Sequence, residues 1–174
     1  MIKINIRNGD YVLNTFLLVR KELLNEIDAL SDKQLNMKPS EDKWSVSQVI
    51  RHLAFIDEAI LRALRKAVQE ESKRVTEKNL DSALDRTNKI KSRLPEPSTE
   101  FTNKEDLWKI LNQARTPLLE YINEIIDGTV IEDKSMIHPV FGPISIKQMI
   151  ESIGLHEKRH IEQIKEIKES ILNC

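Results

Sequence analysis

Glycine, cysteine and aromatic residues are scarce in this chain, and each scarcity closes off a class of structure. Four glycines and an aromatic share of 5% are too few turn residues and strand-forming rings for a β-sandwich or barrel. The single cysteine, Cys174, allows no internal disulfide, which suits a reducing compartment; at the chain end it reads as an idle thiol. Neither charge sign dominates. A net charge of −1 gives no broad pull toward nucleic acid or anionic lipid, so neither is expected as a partner. No apolar run approaches the ~20 residues of a membrane span. The opening Met1-Ile2-Lys3-Ile4-Asn5-Ile6-Arg7 lacks the apolar stretch and cleavage site of a signal peptide. A cytoplasmic location is the expectation.

What remains is an ordinary globular composition, 40% hydrophobic and 32% charged over 174 residues. That length predicts one domain, residues 1–174, able to bury roughly 70% of the surface of its unfolded form. Four long segments carry helical periodicity. The first runs from Asp10 to Leu30, with Leu13, Phe16, Leu17, Leu24 and Ile27 spaced by threes and fours. Ser31 and Gln34 open a short turn before Pro39. Ser45 with Gln48 has capping-box spacing and starts a second helix reaching Glu71, with Val49, Leu53, Ile56, Ile60, Ala63 and Leu64 on its apolar face. Thr102 with Glu105 opens a third helix that ends near Gly128 and holds Pro117, a predicted kink. Ser145 with Gln148 opens a fourth, running to Ile171.

Residues 72–101 form a long polar connection between the second and third helices, with room for a short helix between Thr76 and Lys91. Val130 to Pro143 reads as an irregular loop. The expected fold is all-α: a four-helix bundle with one long crossover connection.

Three of the four histidines fall on helices. On the fourth helix Met149, Ile153, His156, His160, Ile164, Ile167 and Ile171 follow one continuous face. Both imidazoles therefore point inward, ~5–6 Å apart at Cβ. His52 stands on the second helix along Val49, His52, Ile56, Ala59 and Ala63. Packed helices lie ~8–10 Å apart, so facing histidines can converge on one ion. Neighbouring imidazoles in an apolar stripe are costly if charged and leave ring nitrogens unpaired if merely buried. A metal ion takes those lone pairs, and three neutral ligands leave it a free position for chemistry.

His156-Glu157-Lys158-Arg159-His160 also satisfies the H-E-x-x-H pattern of zinc proteases. Such proteases take their third ligand from downstream, and only fourteen residues follow His160. The third ligand has to come from upstream, so a protease is not the expectation.

Lys43-Trp44-Ser45-Val46-Ser47-Gln48-Val49-Ile50-Arg51-His52-Leu53 resembles the W-S…H-L signature that opens the second helix of DinB-like proteins. His138-Pro139-Val140-Phe141-Gly142-Pro143, followed by His156 to Ile164, is similar to that superfamily's last loop and helix. The best match is the YfiT-like branch, related to bacillithiol transferases and often described as metal-dependent hydrolases. The resemblance implies a four-helix bundle with a three-histidine site for one divalent ion, zinc or nickel, and a homodimer. Residue by residue it implies His52, His156 and His160 as ligands. It implies a small-molecule substrate and a low-molecular-weight thiol cosubstrate, the ion lowering the thiol's pKa for S-transfer. Two alternatives stand beside this: a metal-dependent hydrolase of a small amide or ester, and a non-enzymatic metal-binding stress-response protein.

Glu157 is the candidate proton acceptor, although one step from His156 turns it ~100° around the helix toward a solvated or supporting position. Gln163 stands one turn from His160, to line the site or hold a ligand. Trp44 reads as a packing staple. His138 is placed to cover a pocket mouth or to stabilise its own loop. Asp57 and Glu58 are possible acceptors near His52, and Arg115 a possible contact for an anionic substrate.

Overall fold

The computed structural model of the chain describes residues 8–87, 95–126 and 130–172, with side chains from residue 15 onward. Cys174, Gly128, the side chain of Leu13 and the Lys91 end of the crossover lie outside the described residues.

The four long helices form where the periodicity predicts, but on the first Leu17 is exposed and the buried face runs through Phe16, Val19, Leu23 and Ile27. The four are α1 (Asn8–Asp28), α3 (Val46–Gln69), α4 (Lys104–Ile125) and α6 (Ile146–Leu172), with short α2 (Asp32–Asn36) and α5 (Val130–Asp133) between them. Ser31 caps α2 and Ser45 caps α3. In each case the serine oxygen accepts from the N3 backbone while the N3 glutamine reaches back, Gln34 and Gln48 respectively. At α4 the cap falls one residue past Thr102. Asn103 Oδ1 accepts from Asp106 N at 2.8 Å, while Thr102 exchanges two backbone bonds with the Asn36 side chain. Pro117 lies inside α4.

Residues 130–143 are not an irregular loop. They make α5 and then an antiparallel hairpin, β1 (Ser135–His138) with β2 (Gly142–Ser145), in the register Ser135↔Ser145 to His138↔Gly142. The turn closes at Gly142, whose φ of +68° is open to glycine at little steric cost. In the crossover the described residues carry one short 3₁₀ helix, Asp81–Leu84, inside the span with room for one. Among the described residues no helix is long and apolar enough to cross a membrane.

The core falls into two apolar clusters. One joins Val19 to Ile27 of α1, Leu30 just past its end, Val46 to Leu53 of α3, Leu107 and Leu111 of α4, and Ile161 to Ile171 of α6. The other joins Phe16, Leu64 and Ala67, Leu118 to Ile126, and Ile146 to Ile153. The start of α3 and the start of α4 thus lie at one end of the bundle, together with the finish of α1 and the finish of α6. It follows that α3 runs parallel to α4, and α1 parallel to α6, the two pairs being mutually antiparallel. This direction pattern requires the long crossover, because the chain must travel back the whole length of α3 before α4 can begin.

The crossover is tied down as it returns. Gln148 exchanges two bonds with the Lys78 backbone, Arg159 donates to the Ala83 and Asp85 carbonyls, and Arg86 reaches Glu166 and the Arg159 carbonyl. At its far end Gln48 donates to the Pro97 carbonyl and Trp44 Nε1 to Glu96.

Candidate metal centre

The apolar stripe of α6 carries His156 and His160 inward, as their i, i+4 spacing requires. Their Nε2 atoms stand 3.2 Å apart. His52 arrives from α3, its ring centroid 5.4 Å from that of His156 and 4.8 Å from that of His160. One ring nitrogen from each of the three lies within 4.8 Å of the others. The α3 line predicted for His52 drifts outward past it, since Ala63 is exposed and Ile56 half-buried. The buried ridge instead follows Leu53, Asp57, Leu64 and Ala67, so His52 sits at the edge of the core, against Trp44 at 5.2 Å. Trp44 in turn packs on the first apolar cluster, as a staple does.

Electrostatics keep these rings neutral. Burial lowers the pKa of His52. Burial, and then the rings of His160 and His52, hold His156 well below the ordinary histidine value; His138 adds a smaller push. Burial, with His52 next, brings His160 down to about 3 even though Gln163 acts in the other direction. Gln163 Oε1 accepts from His160 Nδ1 at 2.8 Å. A carbonyl oxygen only accepts, so Nδ1 carries the proton and Nε2 keeps its lone pair toward His156.

The His156–His160 pair already has the spacing a divalent cation asks for, with His52 facing it across the gap. Two nitrogens ~2.0–2.1 Å from one ion at a tetrahedral angle are separated by about 3.3 Å, against 3.2 Å between the two Nε2 atoms. Gln163 supplies a hydrogen bond that fixes the His160 tautomer, the kind of support metal-binding histidines receive.

Glu157 goes elsewhere. It is 1% exposed, so of the two expected positions, solvated or supporting, the solvated one is excluded. Its Oε2 accepts from Arg115 Nη2 at 2.7 Å, and its Oε1 lies 2.9 Å from Arg20 Nε, a charge contact too poorly aligned to count as a hydrogen bond. Arg115 also grips Asp57 with two bonds, Nε to Oδ2 at 2.7 Å and Nη2 to Oδ1 at 3.0 Å, while Arg20 Nη2 reaches Asp57 Oδ2 at 3.3 Å. Arg115, expected as a contact for an anionic substrate, is therefore occupied by two buried acids. Burial works against its charge, but Glu157 and Asp57 outweigh burial and raise its pKa; for Arg20 burial wins and the pKa falls.

This tetrad of one charge from each long helix was not foreseen as a unit, although a signal was present. Glu157 interrupts the spacing Ile150, Ile153, Ile161 and Ile164, and Arg115 stands between Leu111 and Leu118; both are charges where the period demands apolar residues. Glu58 faces solvent in a pair with Arg62 at 3.7 Å. His138 Nδ1 accepts from the backbone N–H of Val140 and of Phe141, and so braces the hairpin turn.

The fold and sequence have counterparts among known proteins. The sequence pattern of the DinB superfamily matches residues 15–164. The chain is 38% identical over 162 residues to "Uncharacterized protein YuaE" of Bacillus subtilis, covering 91% of this chain and 98% of that one. It is 23% identical over 151 residues to "Putative metal-dependent hydrolase OB0413" of Oceanobacillus iheyensis, covering 80% and 73%. Two solved structures share the fold. YfiT from Bacillus subtilis, described as a probable metal-dependent hydrolase with an unusual four-helix bundle topology, matches with a TM-score of 0.64 at 16% identity over 98% of this chain and 93% of its own. TT2238, a four-helix bundle protein, matches with a TM-score of 0.62 at 20% identity, over 91% and 99%.

Proposed function

The chain belongs to the DinB superfamily, and from that premise we propose that it is a metal-dependent enzyme acting on a small molecule, with His52, His156 and His160 holding one divalent ion. The observation that carries this reading is the convergence of three neutral ring nitrogens within 4.8 Å. A zinc or nickel ion bound there would supply Lewis acidity, lowering the pKa of a thiol or water brought to it. The chain's own contribution is positional. Three uncharged imidazoles donate lone pairs without cancelling the ion's charge, and Gln163 fixes the His160 tautomer.

Between a thiol and a water nucleophile, the surroundings favour the thiol. Among the described residues no carboxylate oxygen joins the three ring nitrogens, and both oxygens of Glu157 face arginines. This reading gives Glu157 no proton to accept. A free thiol ionises near pH 8.5, far more readily than water, and needs less help to become a nucleophile. S-transfer from a low-molecular-weight thiol of the bacillithiol type to an electrophilic small molecule is therefore our first reading. Hydrolysis of a small amide or ester is the second, supported by the names of OB0413 and YfiT.

The test is an assay of the zinc- or nickel-loaded protein with bacillithiol and an electrophile, following the S-conjugate by mass spectrometry. A parallel series offers esters and amides without thiol. Conjugate formed faster than in the protein-free control, and lost in His156→Ala, supports transfer. Hydrolysis that needs no thiol replaces it with the second reading. A protein that retains no divalent ion after reconstitution sinks both.

A further inference from the structure

The Arg20–Asp57–Arg115–Glu157 tetrad does more than neutralise itself. Its two acids stand on the two helices that carry histidines: Asp57 on α3, five residues after His52, and Glu157 on α6, between His156 and His160. Its two arginines come from the other two helices, α1 and α4, and each contacts both acids. The tetrad also lies between the two apolar clusters. Ile153 belongs to one and Ile161 to the other, with Glu157 midway; Leu111 and Leu118 flank Arg115 in the same manner. An apolar layer at this level would let α3 and α6 slide or rotate at small cost, because apolar contacts are non-directional. The Arg115 fork, with two bonds to Asp57 and one to Glu157, is directional and fixes both separation and rotation, and Arg20 adds a charge contact to each acid.

We propose that Arg20, Asp57, Arg115 and Glu157 are positioning residues for the histidine site: by clamping α3 to α6 they set the distance at which His52 meets His156 and His160. The inference rests on the histidines being the working site. A purely stabilising role explains the tetrad poorly, since replacing a buried ion network with well-packed apolar residues is often neutral or stabilising. The choice of charges at this level is instead accounted for by the register they impose.

Two variants test it. Arg115→Lys keeps the charge and loses the fork. The fourfold change Arg20→Met, Asp57→Leu, Arg115→Met and Glu157→Met removes every charge, so no lone ion is left buried. The first readout uses metal-free protein: nuclear Overhauser contacts between the ring protons of His52 and those of His156 and His160, beside helicity and urea unfolding. The second is zinc affinity by competition with a chelating dye.

The expected result is a fourfold variant that keeps its helicity and cooperative unfolding but loses the contacts between His52 and the α6 rings. Its zinc affinity falls by about tenfold or more, the scale of supporting-residue losses at metal sites. Arg115→Lys is expected to move both readouts in the same direction by less. A folded fourfold variant with contacts intact and zinc affinity within about twofold of the native chain overturns the proposal. Loss of folding in both variants overturns it too, since the tetrad would then hold the bundle rather than the site. A native chain that binds no zinc sinks the metal reading of the previous section but leaves the ring contacts to decide this one.

Discussion

Two polar clusters share α3 and α6, and they are built on opposite plans. The tetrad brings together two cations and two anions, each cation in contact with both anions, so its charge is balanced from within. The histidine triad brings together three groups of one kind, none charged, with two Nε2 atoms facing each other at 3.2 Å. A cluster that closes its own charge balance requires no visitor. A cluster of neutral ring nitrogens instead offers lone pairs that a metal ion can take, and this asymmetry separates the supporting part of the molecule from the candidate working part.

The sharpest break of that comparison is the removal of one histidine. In His156→Ala or His160→Ala the metal content of purified protein should fall from about one ion per chain to almost none, read by elemental analysis, because two ligands hold a divalent ion far less well than three. The tetrad should answer differently. Arg115→Ala leaves buried carboxylates uncompensated and should cost roughly 3–5 kcal/mol of stability in urea unfolding of the metal-free protein.

Gln163→Leu should weaken zinc binding by roughly 10- to 100-fold with the fold intact, since it removes only the bond that sets the His160 tautomer. Acid sharpens the same contrast. In the folded metal-free protein His160 titrates at about 3 against an ordinary value of 6.5. Between those values the unfolded chain binds a proton that the folded chain refuses, so stability falls as pH falls through this window and levels off below it. Urea midpoints at pH 7 and pH 5.5 should therefore drop in the native chain more than in His160→Leu. The smallest effect is expected at the surface, where Arg62→Ala breaks an exposed pair with Glu58 and should change stability by less than about 1 kcal/mol.

The helices and the triad were legible in the sequence for one physical reason, which is that both depend on a period. The spacing from Met149 to Ile171 places the histidines on a buried face whatever the helix packs against, and Ser45 with Gln48 marks where α3 starts. The tetrad was not legible as a unit because pairing across helices depends on which faces meet. Glu157 and Arg115 each break an apolar period, but a break in one helix does not name its partner on another. The hairpin escaped for a similar reason. Its strands span Ser135–His138 and Gly142–Ser145, too short for alternation to register, and prolines 139 and 143 made the stretch resemble a loop.

The parallel course of α3 and α4 carries a consequence for the rate at which the protein assembles. In an up-and-down bundle each helix meets its sequence neighbour through a short turn, and such chains fold among the fastest known. Here Leu53 and Leu111 share a cluster although the rest of α3 and the entire crossover lie between them in the chain. That loop must close before their burial offers any return. Folding should accordingly be slower than in an up-and-down bundle of equal length and stability, with the union of α3 and α4 as the late event, and shortening the crossover should quicken it.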